Sequence, residues 1–188
     1  TLWDNLWHLH PTLLGTVSSE AHIHADEAWD ITRGAGSTLA VLDDGIFHTH
    51  EDLAPNLVPK VGGGFTMRDF IDADDDPKPE VGDGHGTRVS GIAAARGDNG
   101  VGVSGVCPEC GLLPVRLFSS GSFVPERLFG AASLAAEAFV WAADHGARVI
   151  INSWGTIISK NAPIYAAIPA IVDDEIQDIV MRAPPPEH

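Results

Sequence analysis

A short apolar run, Leu39-Ala40-Val41-Leu42, ends in Asp43-Asp44-Gly45 and follows the turn-forming stretch Thr32-Arg33-Gly34-Ala35-Gly36. Unbroken apolar residues between glycine-rich turns fit a strand buried on both faces, as in a parallel sheet covered by helices. Such a strand presents a carboxylate at its C-terminal end, the edge of an open α/β sheet where ligands and chemistry gather. Downstream, Gly84-His85-Gly86-Thr87-Arg88-Val89-Ser90-Gly91 leads into Ile92-Ala93-Ala94-Ala95. Small residues at that density let a helix lie close against neighbouring backbone, with an uncrowded imidazole at its start. Leu112 to Phe118 reads as a further strand, and Pro125 to His145 as a long helix stopped by Gly146. Arg148 to Asn152 reads as one more strand. The class is α/β.

The Asp-Asp-Gly and His-Gly-Thr-Arg-Val-Ser-Gly segments, with the later Ser153-Trp154-Gly155, resemble the motifs of the subtilisin-like serine proteases. The resemblance runs from about Trp7 to about Val180, and these versions are most similar to the kexin/furin-type branch or its bacterial relatives. It implies a three-layer sandwich around a mostly parallel central sheet. It also implies proteolysis by an Asp-His-Ser triad, in which Asp43 orients the imidazole and His85 is the general base and acid. Ser153, Trp154 and Gly155 then match the family segment that pairs with substrate as an added strand. Asp44 occupies a position where an acid could face a basic substrate side chain. After Gly155, however, the chain reads Thr156-Ile157-Ile158-Ser159 in place of the acidic stretch of that branch, so a broad or apolar preference is expected.

The same resemblance implies Ca2+. Asp52, in His50-Glu51-Asp52-Leu53, stands where the family places a calcium-binding aspartate. The loop Asp98-Asn99-Gly100-Val101-Gly102-Val103 looks like the other half of that site, through the Asn99 side chain and the carbonyls of Val101 and Val103. Like charges at the density found from Asp69 to Asp76 call for a counter-ion, and resemblance to the kexin-type branch implies a second calcium site there on Asp69, Asp74 and Asp76, with a plain solvated acidic loop as the alternative. The spacing Gly100-x-Gly102-x-x-Gly105 superficially matches a dinucleotide fingerprint. Its context excludes that function, since it follows a helical run and meets Pro108 soon after.

The family nucleophile sits in Gly-Thr-Ser-x-Ala, and here the Gly-Thr pairs precede Val17, Arg88 and Ile157. A segment like Ala-Ala-Gly-Asn, which carries the oxyanion-binding asparagine, is also missing. Residues 1–182 are therefore expected to be a partial catalytic domain, truncated before the catalytic serine and inactive alone. Residues 183–188 are expected to form a proline-rich tail. Ile171 to Val180 resembles the helix before the oxyanion strand.

Composition narrows the remaining choices. Twenty-six acidic residues against 11 basic give a net charge of −15, which argues against nucleic acid and anionic membranes as partners. No apolar run approaches the ~20 residues that span a bilayer. A secreted monomer acting on peptide or protein is expected, with no signal peptide before Thr1. Cys107-Pro108-Glu109-Cys110 admits a local disulfide, a redox pair or half a zinc site, and the disulfide is favoured. Two alternatives come from other classes: a non-catalytic module that binds calcium or peptide through the retained half-site, and a zinc hydrolase using His48, His50 and Asp52 in an H-x-H-x-D pattern, with His8-x-His10 and His22-x-His24 as further pairs. Leu53 argues against the zinc reading, standing where that group continues with histidine.

Overall fold

The computed structural model describes residues 5–10, 22–119 and 128–154, with residues 128–132 described by backbone alone. A short helix α1 (Ala25–Trp29) leads to β1 (Thr38–Asp43), and a 3-10 turn (Ala54–Asn56) and the edge strand β2 (Arg68–Asp69) follow. Next come α2 (His85–Ala94), β3 (Gly111–Arg116), α3 (Leu128–Asp144) and β4 (Val149–Ile151). The strands form a four-stranded sheet in the order β2-β3-β1-β4, every pairing parallel.

Alternation along β1 builds the layers. Leu39 and Val41 pack with Ala93 and Ala94 of α2 and with Ile46, Leu53 and Leu57. Their neighbours Ala40 and Leu42 point the opposite way, joining Leu113 and Val115 of β3 and Ala135, Ala138 and Ala142 of α3. A period of two on the strand thus meets a period near 3.6 on the helix, and α2 and α3 cover opposite faces of one sheet. This is the expected helix-sheet-helix sandwich. Small side chains on both helices let them sit close to the strands; adding a Cβ to Gly86 would bring it 2.6 Å from the Gly45 carbonyl oxygen.

The local signals located most elements. Gly146 ends α3 at φ 87°, and the Ala147 N–H donates to the Ala142 carbonyl at 2.9 Å, a C-terminal cap that glycine favours. The start expected at Pro125 lies outside the described residues. Edge strand β2 was not legible in advance, because two residues carry no periodicity; it exists through pairing with Val115 and Arg116. Cys107 and Cys110 are joined as a disulfide in the turn that enters β3. Cys110 is buried against the α2-side core, so this link is more interior than a surface clip.

Candidate active site

Asp43 is the last residue of β1 and is fully buried. His85 is the first residue of α2 and keeps 46% of its side chain exposed. The imidazole Nδ1 lies 2.8 Å from Asp43 Oδ1 and 3.0 Å from Oδ2. Its other nitrogen, Nε2, makes no hydrogen bond among the described residues, which leaves it available to a reacting hydroxyl. Burial pushes the Asp43 carboxyl above the ordinary carboxylate range, against the hydrogen bonds from His85 and from the Asp44 amide. The arrangement is a buried acid in contact with a half-exposed imidazole. It can hold one imidazole tautomer and pass a proton at Nε2.

Asp44 departs from expectation. It is 6% exposed, and its carboxylate accepts hydrogen bonds from the backbone N–H groups of Gly84 (3.2 Å), His85 (3.0 Å) and Gly86 (2.7 Å). A carboxylate engaged with a helix N-terminus in this way does not face a basic substrate side chain. The reason is the close approach of α2 to the end of β1, which sequence spacing does not reveal.

The segment after β4 is partly described. Ser153 is exposed. Trp154 packs edge-on against Phe118, with ring centroids 5.8 Å apart, and its indole N–H donates to the Leu42 carbonyl at 2.7 Å. That contact ties the segment to the C-terminal end of β1, beside Asp43. Gly155 and the 156–159 stretch lie outside the described residues, as do the segment 171–180, expected to be a helix, and the expected 183–188 tail.

The acidic run is also corrected. Asp69 is fully buried; its Oδ2 meets Arg116 at 2.8 Å, and its Oδ1 accepts the N–H groups of Ile71 (2.7 Å) and Asp72 (3.1 Å). Arg116, itself buried, also pairs with Asp72 and Glu80. Asp74 Oδ1 accepts the Asp76 N–H at 2.9 Å. Asp76 contacts His48 Nε2 at 2.8 Å and Lys78 at 3.1 Å, and these bonds hold its carboxyl below the usual range. Lys60 does the same for Asp75. Asp69 and Asp74 pair through their backbones, but among the described residues the Asp69, Asp74 and Asp76 side chains do not converge as a metal-holding group. Counter-ions for the run are present, but they are cationic side chains. Arg116 was the residue missed, and its signal was an arginine ending an otherwise apolar strand opposite an excess of acid.

The first calcium position fares differently. Asp52 is 3% exposed and forms no ion pair among the described residues. Asn99 Nδ2 donates to its Oδ1 at 2.9 Å and the Val103 N–H to its Oδ2 at 2.8 Å. A Cβ on Gly102 would stand 2.0 Å from Oδ2, so the loop wraps directly onto this carboxylate. Both contacts on this carboxylate are N–H donors, whereas calcium takes oxygens; the oxygens the loop could offer beside Asp52 are its backbone carbonyls and Asn99 Oδ1, which here accepts the Val101 N–H at 3.1 Å. The zinc reading fails on the same geometry. His48 is engaged by Asp76, His50 Nδ1 accepts the Asp52 N–H at 3.1 Å, and Asp52 turns to the Asn99 loop. No group of three or more His, Cys, Asp or Glu side chains is arranged to hold a metal among the described residues.

An Asp-His pair at the carboxyl edge of a parallel sheet, between helical layers, is an arrangement that nucleophilic hydrolases use to handle protons. The subtilase family profile, peptidase S8, matches residues 34–181, and the chain belongs to that family of serine endopeptidases. Thermitase of Thermoactinomyces vulgaris is 39% identical over 74% of this chain and 44% of its own length. The calcium-dependent protease of Nostoc sp. is 35% identical over 79% of this chain and 20% of its own. The crystal structure of the Aeromonas sobria serine protease with its chaperone superposes with a TM-score of 0.66 at 24% identity, covering 92% of this chain and 29% of that one, a likeness of fold. The chain thus spans less than half the length of each of these relatives. These comparisons do not establish a particular tie to the kexin/furin-type branch.

Proposed function

We propose that this chain supplies the acid-base half of a serine endopeptidase site. The observation that carries the reading is the 2.8 Å contact between His85 Nδ1 and the buried Asp43 carboxylate at the sheet edge. In this mechanism Asp43 keeps the imidazole in the tautomer that leaves Nε2 free to accept a proton. Nε2 takes the hydroxyl proton as a serine oxygen attacks the peptide carbonyl. The imidazolium then returns that proton to the departing amine, and Asp43 stabilises the charge in between. The substrate is an extended peptide or protein pairing beside Ser153, Trp154 and Gly155, with a broad or apolar preference. The setting is extracellular, and a halolysin-like relative in Natrialba magadii is named as extracellular. Among the described residues, no helix is long and apolar enough to cross a membrane.

The sequence holds no Gly-Thr-Ser-x-Ala nucleophile segment. These 188 residues alone should therefore give no serine-dependent turnover. Loss of a triad member costs several orders of magnitude in rate. A fluorophosphonate probe tests this directly. No stoichiometric labelling is expected, and labelling of any serine in this chain would overturn the assignment.

Calcium is the proposed cofactor. Asp52, the Asn99 side chain and the carbonyls of Val101 and Val103 would hold it, and the ion would neutralise the buried carboxylate and stiffen the loop behind α2. The named calcium dependence of the Nostoc relative supports this reading.

A further inference from the structure

We infer that Asp44 is a positioning residue that sets His85 against Asp43, an inference that rests on the Asp43-His85 reading proposed above. A helix start leaves backbone N–H groups without intrahelical partners, and a side chain near the N-cap usually satisfies them. In α2 the N-cap is Gly84, which has no side chain, and no local side-chain cap is formed. The missing acceptor comes instead from the end of β1. Asp44 Oδ2 accepts from Gly84 and His85, and Oδ1 from Gly86. These are the N–H groups of the residue before the histidine, the histidine itself and the residue after it.

The same residue also reaches the other member of the pair. The Asp44 backbone N–H donates to Asp43 Oδ1 at 2.8 Å, the oxygen that lies 2.8 Å from His85 Nδ1. Backbone and side chain of Asp44 therefore fix the acid and the imidazole from one point. Two carboxylates side by side at a strand end have divided the work: Asp43 contacts the ring, and Asp44 contacts the backbone that carries the ring. Displacement of a reacting group by an ångström can cost about 10² in rate, so such a residue influences chemistry without touching substrate. The carbonyl of Gly45 limits how α2 could resettle, since a Cβ on Gly86 would stand 2.6 Å from it, and the Pro79 backbone packs in turn on Gly45.

The test reads the Asp43-His85 contact itself. In protein labelled with 15N-histidine, the hydrogen-bonded Nδ1 proton of His85 is assigned by its disappearance in His85→Gln. Asp44→Ala should lose that proton to exchange with water, while the methyl spectrum of the core stays dispersed. Asp44→Asn retains one acceptor oxygen and the volume, and should keep the proton with exchange faster by roughly tenfold, the scale of one lost hydrogen bond. Asn56→Ala is the control for a purely structural loss. Asn56 donates to the Ala94 carbonyl at the far end of α2 and to Pro108, so its removal should lower the melting temperature and leave the His85 proton unchanged. A folded Asp44→Ala protein with that proton intact overturns the inference. If the alanine variant does not fold, an unchanged exchange rate in Asp44→Asn overturns it instead. A parent protein without the proton would refute the Asp43-His85 reading, and the positioning role with it.

Discussion

Gly86 and Gly91 lie in one helix and should respond oppositely to the same substitution. A Cβ at residue 86 would stand 2.6 Å from the Gly45 carbonyl oxygen and 2.7 Å from the Asp43 Cβ. The first distance is roughly 0.9 Å short of the ~3.5 Å at which packed heavy atoms rest. Neither partner is the flexible tip of a side chain, so α2 must move away from β1. At Gly91 the new Cβ would meet nothing within 4 Å apart from its own helix backbone. Replacing a helical glycine by alanine stabilises by about 1 kcal/mol, whereas forcing an extra carbon into packed structure costs about 1–3 kcal/mol. Contact with rigid backbone puts residue 86 at the upper end, for a net loss near 2 kcal/mol. Residue 91 keeps the whole gain. For a domain of this size about 1 kcal/mol shifts the melting temperature by roughly 2–4 °C. Gly91→Ala should therefore melt a few degrees above the parent and Gly86→Ala several degrees below. The Gly86 variant should also lose the Nδ1 proton that links His85 to Asp43, which calorimetry paired with histidine NMR would read. A Gly86→Ala protein that melts with or above Gly91→Ala and keeps that proton would refute the claim that glycine is there to let α2 approach the acid.

Asp43→Asn should separate function from stability. Burial raises the folded-state pKa of Asp43, so its stabilising contribution is complete below the unfolded value of about 4 and is lost as pH rises through the folded value. The neutral amide escapes that loss. Its melting temperature should match or exceed the parent at pH 7 and converge with it below about pH 4; a lower value at neutral pH would contradict the sign. Arg116→Met should destabilise by about 3–5 kcal/mol in urea titrations, because the fully buried Asp69 then lacks its cation. A loss under about 1 kcal/mol would mean that the network does not hold the acidic loop. Calcium in hundredfold excess over Kd should add about 2.7 kcal/mol to folding stability. Asp52→Ala should abolish that response and Asp74→Ala should leave it intact, and the reverse pattern would relocate the site to the acidic run.

The sequence was most legible where chemistry and local structure share one short segment. The apolar run before Asp43 and the small residues after His85 specify both an element and the functional group at its end, so strand, helix and dyad were read together. The misassigned acids share a different property: the partner of each arrives through tertiary packing. Asp44 was read as substrate-facing because nothing in Asp43-Asp44-Gly45 shows that the first turn of α2 comes to rest on it. Asp69 was read as a metal ligand because carboxylate density announces the need for positive charge without identifying its source. Strand register supplies that source. With β1 and β3 parallel, Arg116 stands beside Asp43, and pairing of β2 with β3 sets Asp69 beside Arg116. A one-residue slip would move the Arg116 side chain to the opposite face of the sheet. Asp69 would then be left buried and unpaired. The register that aligns the site edge and the ion pair that fixes the acidic loop are consequently one constraint, and an arginine closing a buried strand is its signature in the sequence.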